Sequence, residues 1–341
     1  MPRTEPCYNP PEGTRARASR QGSGGACYYA PETVESAFPL DQIPKSSIPG
    51  RKQEVEMKEY RIKPLLTGWF HMNWGLIMSP LASGYFADLP VFMFLIEGED
   101  GEQIIVDASY QHDHVPKFIF GPHRTPDLEV PEVLKRNGVD PLSIRKVLVT
   151  HLHHDHTGYL HLFENADIYV QEEELLNSYF PMGYQAVGCY PEEWIDLVPR
   201  FRLINGDFNV QEGIDLIFAP GHTAGHQAVA VNTSRGRAII LGDAAYMYAG
   251  MAKRFPRQFM EMVSKGGVAG KEIDLSDPEV QEVLARVFNA RYGGYFGPSI
   301  LNPGEIMRTL AKLDAMADVV IPGHDPELLR MKVIPDDYDL E

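Results

Sequence analysis

Lys146-Val147-Leu148-Val149-Thr150-His151-Leu152-His153-His154-Asp155-His156-Thr157-Gly158 is the stretch from which the rest of the chain is read. Its apolar opening, Val147-Leu148-Val149, reads as a short buried strand. That strand runs straight into four imidazoles and one carboxylate within six positions. His151 and His153 are two residues apart, so in an extended segment they point to the same side. Asp155 and His156 follow where the chain must turn, and so face a second point nearby. Neutral imidazole and carboxylate are ligands suited to Zn²⁺ and similar divalent ions. The spacing therefore predicts two adjacent metals rather than one. A histidine-rich surface loop would have the same composition, but a solvated loop rarely follows a buried strand so abruptly.

Downstream, the same arrangement recurs. Asp167-Ile168-Tyr169-Val170 reads as a strand, and the segments from Glu172 to Tyr179 and from Glu192 to Val198 as helices. Three strands follow: Phe201 to Ile204, Phe208 to Val210 and Ile214 to Ala219. The last ends in Pro220-Gly221-His222-Thr223-Ala224-Gly225-His226-Gln227. Ala228 to Asn232 and Arg237 to Leu241 continue the sheet, the second delivering Gly242-Asp243-Ala244-Ala245-Tyr246. A helix from Gly304 to Met316 leads into Val319-Val320-Ile321, which delivers Pro322-Gly323-His324-Asp325. Four times, a buried strand ends in a loop carrying His or Asp.

Upstream, Val91 to Ile96 and Gln103 to Asp107 are two buried strands joined by the turn Glu97-Gly98-Glu99-Asp100-Gly101. Asp107 ends its strand where a carboxylate can orient a metal-bound histidine. Arg61 to Leu66 reads as an edge strand, tolerant of Pro64. The aromatic and methionine-rich run Thr67 to Met78, with Trp69 and Trp74, is either core or the wall of a pocket. Leu128 to Arg136 has helical spacing and stops at Asn137-Gly138.

The chain has 341 residues, 44% hydrophobic and 23% charged, an ordinary soluble composition. Its net charge of −16 argues against a nucleic-acid backbone or an anionic membrane surface as the main partner. Cys7, Cys27 and Cys189 lack metal-site spacing, and an odd number cannot be fully paired within one chain, which points to a reducing, cytoplasmic setting. Residues 1–55 are read as an N-terminal arm, rich in Pro, Gly, Ser and Arg. Its apolar residues Tyr28, Tyr29, Phe38, Leu40 and Ile43 would suit a homodimer contact. Residues 56–341 are read as one domain with an insertion at about 247–303. The insertion's methionines and phenylalanines, with Trp69 and Trp74, are expected to wall an apolar pocket over the metals.

Two metals need roughly seven protein ligands if each keeps an open position. His151, His153, His222 and Asp243 supply one set. Asp155, His156 and His324, again with Asp243, supply the other. Asp243 serves both because a carboxylate has two oxygens. His154 is left to packing or to lining the outer pocket, and His226 to supporting its loop. These donors accept Zn, with Mn, Co or Fe as alternatives.

The set His-x-His-x-Asp-His, Gly-His-Thr-x-Gly-His, Gly-Asp and Gly-His resembles the metallo-β-lactamase superfamily over approximately residues 60 to 330. Within it, Leu89 to Asp107, Thr150 to Gly158 and Gly242 to Tyr246 look most like the N-acyl-homoserine lactonase family of quorum-quenching enzymes. The resemblance implies an α+β fold, an αβ/βα sandwich with a dinuclear site at the sheet edge. It also implies that Tyr246, three residues after the bridging aspartate, helps hold the substrate carbonyl. Two features depart from the compact lactonases: the arm, and the long segment between Asp243 and His324.

The function expected is metal-dependent opening of a lactone ring, with a hydroxide bridging the two metals as nucleophile. Tyr246 and one metal would hold the oxyanion, and Asp155 would carry the proton to the leaving alkoxide. The alternatives are another hydrolase on the same scaffold, acting on a phosphotriester, aryl halide or other ester, and an iron-dependent oxygenase. The ligand set does not separate the hydrolases. The oxygenases often dispense with some second-metal ligands, whereas this chain keeps them all.

Overall fold

The strand that opens the histidine cluster lies inside a mixed sheet in the computed structural model, which describes residues 58–78, 82–251, 257–265, 271–288 and 302–339. The strands of this sheet are β1 (Tyr60–Asn73), β2 (Phe86–Gly98), β3 (Gln103–Val106), β4 (Pro122–His123), β5 (Lys146–Leu148), β6 (Asp167–Gln171) and β7 (Phe201–Ile204). Their order is β4-β1-β2-β3-β5-β6-β7, antiparallel from β4 to β3 and parallel from β3 to β7. A second sheet contains β8 (Phe208–Gln211), β9 (Ile214–Phe218), β10 (Gln227–Thr233), β11 (Gly236–Ile240) and β12 (Val319–Ile321). Its order is β12-β11-β10-β9-β8, and its β11–β12 pair is parallel.

Alternation along β2 explains how the layers stack. Phe92, Phe94 and Ile96 point between the sheets, against Leu216, Val229, Val231 and Ile240. Met93 and Leu95 point the other way, into a layer with Val130, Val133, Leu134 and Trp194. Both faces of the strand are therefore covered, and its sequence is an unbroken apolar run rather than an alternating one. Each such fully buried side chain contributes about 1.5–3 kcal/mol.

The helices are α1 (Lys117–Phe120), α2 (Val130–Arg136), α3 (His154–Thr157), α4 (Glu172–Tyr179), α5 (Arg257–Ser264), α6 (Pro278–Phe288) and α7 (Pro303–Met316). Helix α2 supplies the outer layer of the first sheet. Ile306, Leu310 and Leu313 of α7, spaced for one helical face, cover Ile217, Ala228, Ala230 and Ile239 of the second. Helix, sheet, sheet and helix thus form the α+β sandwich expected.

Some elements differ from the sequence expectation. β1 runs on through the aromatic segment to Asn73. Pro64 pairs with Phe94 of β2, whereas β4 meets β1 only at Trp69 and Phe70. The missing N–H of Pro64 therefore falls on a stretch of β1 that β4 does not reach. The segment from Glu192 to Val198 forms two 3₁₀ turns, Pro191–Glu193 and Ile195–Arg200, rather than an α-helix. Pro199, inside the second turn, has no N–H for an α-helical bond. Among the described residues no helix is long and apolar enough to cross a membrane. The N-terminal arm, Cys7 and Cys27 lie outside the described residues, as does part of the 247–303 segment.

Candidate metal centre

The loops that follow β3, β5, β9, β11 and β12 meet at one edge of the two sheets. After β5 the chain bends at Thr150 and is extended again at His153, which has φ −78° and ψ 156° and precedes the one-turn helix α3. That single turn swings Asp155 and His156 away from His151 and His153. Two groups of donors result: His151, His153 and His222; and Asp155, His156, Asp243 and His324. All seven residues are buried.

The donor atoms converge closely. His151 Nε2 lies 3.0 Å from His153 Nδ1 and 3.2 Å from His222 Nε2, which in turn is 3.1 Å from His153 Nδ1. Asp243 faces both groups with different oxygens. Its Oδ2 is 3.5 Å from His222 Nε2 and 3.8 Å from His151 Nε2. Its Oδ1 is 3.1 Å from His324 Nε2 and 3.4 Å from His156 Nε2. Asp155 closes the second group, with Oδ2 3.6 Å from His324 Nε2 and Oδ1 3.7 Å from His156 Nε2.

Several of these atoms suit a cation. His156 Nε2, His324 Nε2 and Asp243 Oδ1 are buried without hydrogen-bond partners. Burial, reinforced by His156, His153 and His222, pushes the His151 imidazole well below its ordinary range, so it is neutral and offers a lone pair. Lone pairs converging on one point repel one another unless a positive ion offsets them. A tetrahedral zinc with bonds of about 2.0–2.1 Å to nitrogen sets its ligand atoms about 3.3 Å apart, close to the separations in the histidine group. The residues present therefore fit two divalent ions.

The far side of the ligand rings is held by the core. Asp107, at the end of β3, accepts from Thr150 N at 2.7 Å and Thr150 Oγ1 at 2.9 Å, and lies 2.7 Å from His156 Nδ1. This leaves His156 Nε2 for the centre. Asp107 has φ 60°, a left-handed conformation that few residues other than glycine adopt. His324 Nδ1 is 2.8 Å from the carbonyl of Pro90. His226, left over in the sequence, accepts the backbone N–H of Asp243 through Nε2 at 3.1 Å. It supports the Asp243 loop, rather than only its own.

Glu174 was not singled out from the sequence. Its buried carboxylate accepts from Leu152 N at 2.8 Å, Thr223 Oγ1 at 2.5 Å, Gly225 N at 3.2 Å and Ser178 Oγ at 3.1 Å. One side chain of α4 thus clamps the loop carrying His151 and His153 to the loop carrying His222. The sequence signal was three glutamates in the first turn of a helix, which does not reveal which one turns inward.

A cavity of about 320 Å³ opens over the two groups. Phe70, Met72, Leu89, Ile119 and Phe120 give it apolar walls, and Tyr246, Asp155, His153, His222 and Asp243 line it as well. The Tyr246 ring lies 5.7 Å from that of His222 and 5.5 Å from that of His324, centroid to centroid. His154 lines the cavity, packed edge-on against Phe70, Phe120 and Tyr190. Burial pushes its imidazole down to about 4. Trp69, Trp74, Met247 and Met251 are not among the lining residues, which corrects the expected pocket wall. Trp74 and Met247 are packed in the cluster behind Phe70 and Met72, and Met251 is buried beside α7. Phe255 lies outside the described residues.

The metallo-beta-lactamase superfamily model matches residues 87–324. An N-acyl homoserine lactonase from a Bacillus species is 32% identical over 185 residues, covering 50% of this chain and 70% of that protein. The N-acyl homoserine lactonase AttM of Rhizobium johnstonii is 28% identical over 205 residues, covering 56% and 78%. A crystal structure of a quorum-quenching N-acyl homoserine lactone lactonase aligns with a TM-score of 0.54 at 23% identity, covering 80% of this chain and 94% of that one.

Proposed function

This chain belongs to the metallo-β-lactamase superfamily, and from that premise we propose that it opens a lactone of the N-acyl-homoserine type with two divalent ions, zinc the first choice. The observation that carries this reading is an apolar cavity lined by Tyr246 and by four of the seven converging donor residues, His153, Asp155, His222 and Asp243. His151, His153 and His222 would hold one ion, and Asp155, His156 and His324 the other, with Asp243 reaching both. When bound, such ions polarise a carbonyl and bring the pKa of coordinated water to about 7.

The side chains supply the rest. The apolar walls hold an acyl chain and exclude water around the ester. The Tyr246 hydroxyl donates a hydrogen bond to the carbonyl oxygen as that oxygen gains charge during attack by water. Asp155 takes up the proton released by the attacking water and delivers it to the departing alkoxide. One C–O bond forms, the ring C–O bond breaks, and the product is the hydroxy acid. Cys189 is not the nucleophile: burial pushes its thiol up to about 12, leaving little thiolate at neutral pH.

The test is a pH-indicator assay over lactones, aryl esters, phosphotriesters and chlorinated aromatics, with metal content measured on the same sample. N-acyl lactones should turn over fastest, with activity lost on chelation and restored by metal. Tyr246→Phe should keep its metal and lose about 10²-fold in lactone turnover, the lower end for one oxyanion donor. Faster phosphotriester turnover, or unchanged kinetics in Tyr246→Phe, would overturn the reading.

A further inference from the structure

Among the histidines of the first group, His153 is held differently from the rest of the centre. Its Nδ1 faces His151 and His222, while its Nε2 points out of the centre towards Gln185 Oε1, 3.2 Å away. Gln185 does not belong to a strand end. It lies in the 3₁₀ segment Gly183–Val187, and with Val187 and the following Gly188 it forms part of the cavity wall.

The amide can be oriented by elimination. Gln185 Nε2 lies 3.0 Å from the backbone carbonyl of His222, which can only accept. The NH₂ therefore faces His222, and the carbonyl oxygen faces His153. An amide oxygen also only accepts, so His153 must carry its proton on Nε2. Its Nδ1 then has the lone pair, aimed at the histidine group. Two one-way hydrogen bonds fix the tautomer, and Gln185 is 2% exposed.

The wall segment is also docked on the ligand loop. The backbone N–H of His154 donates to the Gly188 carbonyl at 2.8 Å. A Cβ on Gly188 would come within 2.7 Å of the His153 ring. The ring is thus enclosed by Gly188 on one side and tied at Nε2 by Gln185.

We propose that Gln185 is a positioning residue: through His153 Nε2–H it sets the tautomer and angle of His153, and so the affinity of the His151–His153–His222 group for its ion. The proposal rests on that group being a metal site, and does not depend on which ester is the substrate.

The experiment titrates chelated protein with Zn²⁺ against a chromophoric chelator, and records the Co²⁺ absorption spectrum and the melting temperature of the metal-free protein. Wild type should give two binding constants. Gln185→Leu should lower one of them by about 10–100-fold, the range for losing the partner of a ligating histidine, and leave the other within a few-fold. Its Co²⁺ band should shift. Gln185→Glu keeps an acceptor facing His153 and should restore the affinity, although it loses the donor to His222. If Gln185→Leu does not fold, Gln185→Met, close in length, takes its place. Equal affinities in the apolar variant and wild type would overturn the proposal. So would a Gln185→Glu protein as weak as the apolar one, since Gln185 would then act through packing. A wild type that binds no ion would overturn the reading beneath it, whereas two ions without lactone turnover would overturn only the substrate.

Discussion

Glu193 and Asp243 are both buried carboxyls, yet their surroundings push them in opposite directions. Burial works against ionisation of Asp243, but His324 and His156 outweigh it and hold the group well below the usual carboxylate range. Glu193 lacks that compensation. It is paired with His114 at 2.8 Å and with the hydroxyl of Thr157, and burial still pushes it up to about 7 from an ordinary 4.5. A folded carboxyl with a raised pKa binds its proton more tightly than the unfolded chain does. Its effect on stability is nil below pH 4.5. It becomes a growing penalty as pH rises towards 7, reaching about 3 kcal/mol above that, at 1.36 kcal/mol per pKa unit. Glu193→Gln removes the titration. In urea denaturation of chelated protein at pH 5 and pH 8, the variant should gain on wild type at the higher pH by about 1–3 kcal/mol. A stability difference that stays constant between the two pH values would exclude a raised pKa at Glu193.

At the scale of elements, the site is a set of strand ends held in register by one helix. Glu174 at the start of α4 binds both ligand loops, and Gly225 is the point where the second loop crosses the helix. A Cβ there would stand 2.0 Å from Glu174 N, so helix or loop must move. Gly225→Ala should destabilise by about 1–3 kcal/mol, as overpacking does, and should weaken binding by the histidine group. Gly304 is the control, since a Cβ there meets nothing closer than 3.7 Å. Gly304→Ala should be neutral or slightly stabilising, by urea denaturation with metal analysis. A Gly225→Ala protein as stable as Gly304→Ala, with full metal, would exclude the clamp. The same geometry accounts for what was legible beforehand. His151, His222, Asp243, His324 and Asp107 could be read because each follows a strand with a simple apolar pattern, and His153, Asp155 and His156 because they crowd beside His151 in one cluster. Glu174 and Gln185 could not, because a helix's first turn and a 3₁₀ segment carry no parity that tells inside from outside. The cavity wall was misread at Trp69 and Trp74. Phe70 and Met72 share the face of β1 that turns to the cavity, Trp69 alternates to the other face, and Trp74 lies beyond the strand in the 3₁₀ turn Trp74–Leu76, packed in the core.

For the whole molecule, the two sheets converge on a cluster of buried imidazoles and carboxylates that hydrophobic packing alone cannot satisfy. The inter-sheet core of Phe92, Phe94, Val229 and Ile240 reaches this edge and stops. Beyond it, partnerless atoms of His156, His324 and Asp243 are buried at a free-energy cost. If ions satisfy these atoms, they bind the folded chain and not the unfolded one, and folding and metal binding become linked. Each site then stabilises the fold by about 2.7 kcal/mol at a free ion concentration 100 times its dissociation constant, and by about 4.1 kcal/mol at 1,000 times. The melting temperature should therefore rise with free Zn²⁺, fall on chelation and return on refilling. At about 2–4 °C per kcal/mol for domains of 150–250 residues, the shift should be readily measurable. The net charge of −16 adds a second signature, since an acidic surface concentrates divalent cations and salt screens that field. Metal uptake by chelated protein should thus slow as NaCl is raised from 10 to 300 mM, while the metal-loaded melting temperature changes little. A melting temperature indifferent to both chelator and Zn²⁺ would mean that the buried donors are satisfied by protons instead, and the centre would not be a metal site.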